Sequence, residues 1–209
     1  MIISRYDVNL ISVKPEHLEL IRYWRNHEKI KRVMEFTGFI SQEMQLKWYN
    51  SLNAEKDFYF IIEHEGVFVG LIHANNIDWT TKTSHSGLFI WEDKFLGSPI
   101  PVIASLNLLD TFFHVFKLNE IEAKVKHNNF VALAYNKFLG FKEKGMALNK
   151  DFLLISLLKN DYLSTAEKIK EHLYGIDDKI ELKNAFQVFE TLRSVNVEVN
   201  TEHKMFSLE

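Results

Sequence analysis

Three short segments carry side chains whose types and spacing suit chemistry. Trp24-Arg25-Asn26 ends an amphipathic stretch, and its arginine is a planar, two-pronged donor that fits a phosphate. Lys94-Phe95-Leu96-Gly97 stands where a β-type pattern gives way to a helical one. Unpaired amides and the positive end of a helix dipole favour phosphate at such a junction. Asn129, Tyr135 and Gly140-Phe141 mark the start, middle and end of a later helical run. What the chain lacks narrows the rest. It has no cysteine, which excludes disulfides, a thiol nucleophile and cysteine-ligated metal. Its nine histidines show no HExxH or other ligand spacing, so no metal site is expected, and a Ser/His/Asp triad lacks its Gly-x-Ser-x-Gly elbow.

The elements that position these segments come from a chain of 209 residues, 46% of them hydrophobic and 25% charged, with a formal charge of −3. Disorder and collagen-like repeats are excluded, and the balance gives no electrostatic reason to expect nucleic acid. At roughly 150 residues per domain, the length suggests one full domain plus an appendage. No apolar run approaches the ~20 residues of a membrane span, and Met1 to Arg5 lacks the build of a signal peptide. The expectation is a soluble cytoplasmic protein without membrane contact.

Three prolines and eight glycines punctuate the sequence, so the places where they fall carry the boundary information. A first strand is expected over about Tyr6 to Ser12. Pro15 opens a helix with Leu18, Ile21 and Trp24 on one face, and Ser41 caps a second carrying Met44, Trp48 and Leu52. Phe58–Ile62 and Val67–Ile72 read as a hairpin across His64-Glu65-Gly66, with Gly87–Trp91 as a third antiparallel strand. Val102, Leu106, Leu109, Phe113 and Phe116 step as one face of a buried helix. Ile121, Ala123 and Val125 alternate as a strand, Asn128 or Asn129 caps a helix that stops at Gly140, and Phe152 to Leu158 is a last core strand. The order β-α-α-β-β-β-α-β-α-β predicts an α/β sandwich, a mixed sheet with helices on its faces. From about residue 160 the composition shifts. Ser164 and Glu167 form a capping box for a helix closed by Gly175, Leu182 to Leu192 stripe a second helix, and Val195, Val197 and Val199 suggest an edge strand. The division is therefore 1–159 as the main domain and 160–209 as an extension. The extension fits a lid or an oligomer contact, a homodimer being the simplest assembly.

Together these features resemble the GNAT superfamily of acyl-CoA-dependent N-acyltransferases over residues 1 to about 159. Within it they resemble the branch of ribosomal-protein N-terminal acetyltransferases and amino-sugar-nucleotide N-acetyltransferases. The carriers are Trp24-Arg25-Asn26, Lys94-Phe95-Leu96-Gly97, and Asn129-Phe130-Val131-Ala132 leading to Tyr135 and Gly140-Phe141. The resemblance implies a GNAT-like mixed, mostly antiparallel sheet, acetyl-CoA as acyl donor and a small-molecule amine as acceptor, with an amino-sugar nucleotide ahead of a protein N-terminus. It implies that Phe89, Ile90 and Trp91 lie on the strand that holds the thioester. It also implies that Lys94, Gly97, Ser98 and Ile100 grip the pyrophosphate, with Asn129 beside the cofactor.

The family's glycine-rich loop departs here, because Pro99 and Pro101 occupy its next small-residue positions and have no N–H to donate. Tyr135 stands one residue before the position of the tyrosine that protonates the departing thiolate in many members, which is Asn136 here. One residue turns a helical side chain by about 100°. Removal of a proton from the amine requires a base, for which Glu92, His85 and His73 are the candidates. Each also fits a plainer role: His73 and His85 as hydrogen-bonded sheet residues, Glu92 as a solvated strand end, Trp24 as core. Trp24, Arg25, Asn26 and His73 are the substrate-side candidates. Two other readings stay open: a GNAT-shaped binding or assembly module without catalysis, and an enzyme using a longer acyl-CoA or an acyl carrier protein.

Overall fold

The computed structural model describes residues 1–148, 150–174, 179–200 and 206–208. Among these residues ten strands form one sheet: Ile2–Arg5 (β1), Val8–Ser12 (β2), Phe58–His64 (β3), Val67–Asp78 (β4), Thr83–Ile90 (β5), Glu120–Lys126 (β6), Lys142–Met146 (β7), Phe152–Leu158 (β8), Ile180–Lys183 (β9) and Phe206–Leu208 (β10). Their order is β10-β9-β1-β2-β3-β4-β5-β6-β8-β7, antiparallel except at β5–β6 and β9–β10. The helices are Leu18–Asn26 (α1), Glu28–Lys31 (α2), Gln42–Asn50 (α3), Ile100–Asp110 (α4), Phe130–Phe138 (α5), Lys159–Tyr174 (α6) and Phe186–Ser194 (α7). This is the expected mixed, mostly antiparallel sheet flanked by helices.

Local chemistry explains most boundaries. Ser41 caps α3 by accepting from the Met44 N–H at 3.1 Å, and Asn129 caps α5 by accepting from Ala132 at 3.2 Å. Gly140, at φ +98°, ends the turn after α5 in the left-handed region that suits glycine. The first strand differs from expectation. Tyr6 and Asp7 take φ 47° and 57°, the pair of left-handed residues that a two-residue hairpin demands, so one expected strand becomes the β1–β2 hairpin. Strand β7 was not expected either. It is a sheet edge, and its Lys142, Glu143 and Lys144 are the kind of charges that edges carry.

Helix α4 is buried all round, not merely on one stripe: every residue from Ile100 to Asp110 except Val102 is buried, Ser105, Asn107 and Asp110 among them. It continues into a π-helical turn over Thr111–Val115. One face packs on the sheet; the other is covered by the extension. Tyr162 of α6 sits 5.1 Å from the Phe113 ring, and Phe189 of α7 sits 6.2 Å from Phe116. Strand β9 then pairs with β1. Here the expected elements shift. Helix α6 starts at Lys159, directly from β8, and Ser164 lies inside it, donating its hydroxyl to the Asp161 carbonyl at 3.0 Å. The stretch read as the start of a second helix supplies β9, and Val195–Val199 form a turn and irregular chain in place of an edge strand. Gly175 lies outside the described residues. On the opposite sheet face, α1 and α3 cover a smaller core of Ile21, Ile61, Leu71 and Trp91. Among the described residues no helix is long and apolar enough to cross a membrane.

Candidate active site

The parallel pair β5–β6 holds register for only four rungs, Thr83–Ser86 against Glu120–Ala123. Past Ser86, β5 stays with β4 through Ile90, while β6 stays with β8 through Lys126. The sheet therefore forks, and the backbone edges facing each other across the fork carry no ladder bonds, which leaves them available to a ligand. A cavity of ≈ 710 Å³ fills the fork and reaches both faces of the sheet. On the α4 side it is walled by apolar Leu88, Leu108, Leu109 and Leu139, with Ser105 and Tyr135. On the α1–α3 side it opens into a chamber under Arg25, Trp48, Tyr59, His73 and Phe36.

The chamber is electropositive. Burial presses the Arg25 guanidinium below the usual arginine value, with Tyr59 acting in the opposite direction, and its buried Nε has no hydrogen-bond partner among the described residues. Glu35 is the carboxylate among the lining residues, and it forms an ion pair with Lys124 at 3.2 Å. Tyr59 accepts a hydrogen bond from Asn75 Nδ2 at 3.0 Å, meets Trp48 edge-on at 5.0 Å and stacks on His73 at 4.8 Å. Burial, reinforced by Arg25, brings His73 down to about 4, so the imidazole is neutral at pH 7.

The structure brings Arg25, His73, His85, Phe89, Asn129 and Tyr135 to this cavity and leaves the other sequence candidates outside its walls. Trp24 stacks on Trp91 with ring centroids 6.1 Å apart, and the Trp91 Nε1 donates to the Phe68 carbonyl at 2.6 Å. Both belong to the smaller core, and Ile90 belongs to the larger one. Asn26 faces a backbone: Oδ1 accepts from Ile40 N–H at 2.8 Å and Nδ2 donates to Ile40 C=O at 2.9 Å. Glu92 starts the short turn Asp93–Phe95 at the end of β5, where its own N–H bonds to Val69. His85 reaches the cavity from the closed end of the fork, 3.8 Å from Glu122.

The expected phosphate loop is largely self-satisfied. The Ser98 N–H donates to Phe95 C=O at 3.2 Å, and the Ile100 N–H donates to Ser98 Oγ at 3.3 Å. Lys94 holds its ammonium 4.8 Å over the Phe95 ring. Pro99 and Pro101 occupy the N-cap and first turn of α4, where helix amides have no intrahelical partner to lose. They initiate the helix in place of gripping an anion. Tyr135 faces the cavity wall after all, but its hydroxyl is engaged: it donates to Pro101 C=O at 2.7 Å and meets Ser105 Oγ at 2.7 Å. Burial pushes that phenol far above its usual value, so Tyr135 braces α5 against α4 with its proton retained.

Sequence reasoning missed Gly87, Ser105, Tyr59 and the strap from Val33 to Phe36 that crosses the chamber. Lys124 ties that strap to β6 through Glu35, and Lys126 donates to Arg32 C=O at 3.1 Å. Gly87 carried a usable signal, since a glycine inside a β-branched and aromatic run marks close approach.

A GNAT acetyltransferase domain model matches residues 7–142. The acetyltransferase PseH of Campylobacter jejuni is 29% identical over 158 residues, which cover 73% of this chain and 93% of that protein. Among solved structures, a spermidine N-acetyltransferase from Vibrio cholerae in complex with CoA and spermine superposes with a TM-score of 0.66 at 17% identity, over 76% of this chain and 99% of that one. A domain from Methanocaldococcus jannaschii superposes with a TM-score of 0.61 at 18% identity, over 72% of this chain and 97% of that one. At such identities the superpositions speak to fold alone.

Proposed function

The chain belongs to the GNAT acetyltransferase family, and from that premise we propose that it moves an acetyl group from acetyl-CoA to the primary amine of a small anionic molecule, an amino-sugar nucleotide in the first instance. The fork supports the donor half of this reading. An apolar wall beside unpaired strand edges suits the slender arm of coenzyme A, and Lys126 adds positive charge at the cavity. The reaction needs a neutral amine held against a thioester carbonyl, and much of the rate comes from holding the two together.

Arg25 carries the acceptor half. A part-buried guanidinium whose buried Nε is unused costs free energy unless something pairs with it, and an acceptor bearing phosphate satisfies it in two-pronged fashion. A polyamine acceptor fits poorly, because its several ammonium groups need carboxylates and the lining Glu35 is engaged by Lys124. The aromatic rings of Trp48, Tyr59 and Phe36 suit a base or sugar face. Incubation with acetyl-CoA and a panel of UDP-linked amino sugars, spermidine and short peptides tests the reading by the mass gain of one acetyl group. Acetylation of spermidine or peptides in preference to the nucleotides would overturn the acceptor assignment.

The engaged amides of the Gly97–Pro101 loop favour one variation, a donor held by its arm and acyl chain more than by its pyrophosphate. A longer acyl-CoA or an acyl carrier protein meets that description. Comparing kcat/KM for acetyl-, butyryl- and octanoyl-CoA separates the two.

A further inference from the structure

Tyr59, His73 and Gly87 lie abreast on β3, β4 and β5, Tyr59 opposite His73 and His73 opposite Gly87. The imidazole covers Gly87 so closely that a Cβ there would stand 2.6 Å from Nε2. Gly87 has no left-handed φ, so its missing side chain serves the imidazole, not the backbone. It is also the first residue of β5 beyond the last rung shared with β6, which sets the ring at the apex of the fork. The other ring nitrogen, Nδ1, is buried and meets no partner in good hydrogen-bond geometry among the described residues, Asn75 being the neutral side chain beside it that partly offsets burial. Packing alone does not account for a buried imidazole seated over a glycine at the point where the two strands part. The charged and titratable groups around it are Arg25 from α1, Asp57 and Tyr59 at and before β3, and His85 from β5; α3 contributes the neutral Gln45 and Trp48.

We propose that His73 takes the proton of the attacking amine at the fork, and that Arg25 makes this step depend on an acceptor whose anionic group pairs with the guanidinium. The proposal rests on the amine-acetylation reading above. The amine lone pair forms the C–N bond at the thioester carbon while its N–H proton passes to the neutral imidazole. The C–S bond then breaks with its electron pair on sulfur, and the imidazolium returns the proton to that sulfur. Amide and thiol result, the imidazole ends neutral, and no further reactant is needed. In the free chamber Arg25 adds to burial in making His73 a weak base. An anion on Arg25 removes that neighbouring charge and strengthens the base when the acceptor is in place.

Two measurements test this. In histidine-labelled protein, NMR titration of His73 is compared for the wild type, for Arg25→Gln, and for the wild type with saturating UDP as the anionic probe. The imidazole should titrate about one pH unit higher in both altered cases. With acetyl-CoA and a UDP-linked amino sugar, His73→Gln should lower kcat about 100-fold or more and leave the KM for acetyl-CoA unchanged. Gly87→Ala, which displaces the ring, should do likewise. A His73 that titrates identically in all three samples, or a His73→Gln enzyme with wild-type kcat, overturns the proposal. If no UDP-linked amino sugar is acetylated, the acceptor assignment fails, and the NMR comparison alone still decides the Arg25–His73 coupling.

Discussion

Asn26 treats Ile40 as a strand neighbour would, bonding both the N–H and the C=O of that one residue with its side-chain amide, at 2.8 and 2.9 Å. Arg22 adds a third contact to the Ile40 carbonyl at 3.3 Å. The chain four residues beyond the strap is thereby fixed to the end of α1. Three consecutive residues of α1 thus divide three tasks: Trp24 packs the smaller core, Arg25 enters the chamber and Asn26 holds the strap that closes it.

Asn26→Asp keeps the acceptor for the Ile40 N–H and sets an oxygen against the Ile40 carbonyl. The loss should be about 1–3 kcal/mol, the usual cost of an unmet part-buried polar group. Urea unfolding reads it, and amide exchange at Ile40 should quicken out of proportion to the global change. Unaltered exchange there would mean the strap is held by its Glu35 and Arg32 contacts to β6 instead.

Arg25→Gln removes the charge from the chamber but keeps a polar side chain. If the acceptor carries phosphate, its KM should rise about 10- to 100-fold, matching the ~1.5–3 kcal/mol of a charge-assisted hydrogen bond. The KM for acetyl-CoA should change little if that donor lies along the α4 side, because Arg25 lines the cavity from α1. Steady-state kinetics with each substrate varied in turn make the comparison.

The sequence shows elements best where a single period or cap dominates. The alternation at Ile121–Val125 and the Asn129 cap appear where expected, and the run from Val102 to Phe116 is helical, though buried on all sides, with Val102 the exception in α4, and closed by a π turn. The β1–β2 turn hides because Tyr-Asp lacks the glycine of the usual Asn-Gly or Asp-Gly pair and is held left-handed by the sheet around it. Arg25 and Tyr135 were visible as residue types, but their fates depend on packing that no spacing encodes. One guanidinium is left with an idle nitrogen, and one phenol is spent on the Pro101 carbonyl across 34 positions of sequence. The fork itself is a property of two strands choosing different neighbours, so only Gly87 hints at it.

The loop before α4 gives a third prediction. Gly97 stands at φ +82° with open space around its missing side chain, so Gly97→Val strains the backbone without a steric clash. Affinity for coenzyme A should fall if the loop touches phosphate at all. Pro101→Ala restores an amide in the first turn of α4 and should tighten binding by up to about tenfold, one hydrogen bond's worth. Calorimetric titration with coenzyme A measures both. Two variants that bind like the wild type would show that the arm, not the diphosphate, supplies the affinity.

Asp110 joins the extension to the main sheet, and its titration makes that join sensitive to acid. The carboxylate is wholly buried on α4, where it meets Arg5 of β1 at 2.6 Å, Lys170 of α6 at 2.7 Å and the Tyr162 hydroxyl at 2.7 Å. His114, one turn on, lies 3.8 Å away. Burial by itself would raise its pKa, yet Arg5 and Lys170 more than offset this and hold it below the usual 3.8. A lowered folded-state value means that the native protein binds this proton less readily than the unfolded chain. The contribution is therefore complete above about pH 4 and disappears as the pH falls from there through the native value. Asp110→Asn strips the counter-charge from the buried Arg5 and the part-buried Lys170 and should cost about 3–5 kcal/mol at pH 7. The same variant should lose less than the wild type between pH 4 and pH 2.5, which urea midpoints across that window would reveal. Lys170→Met, by leaving Arg5 in place, should fall between the two, and α6 should then show faster amide exchange than β8.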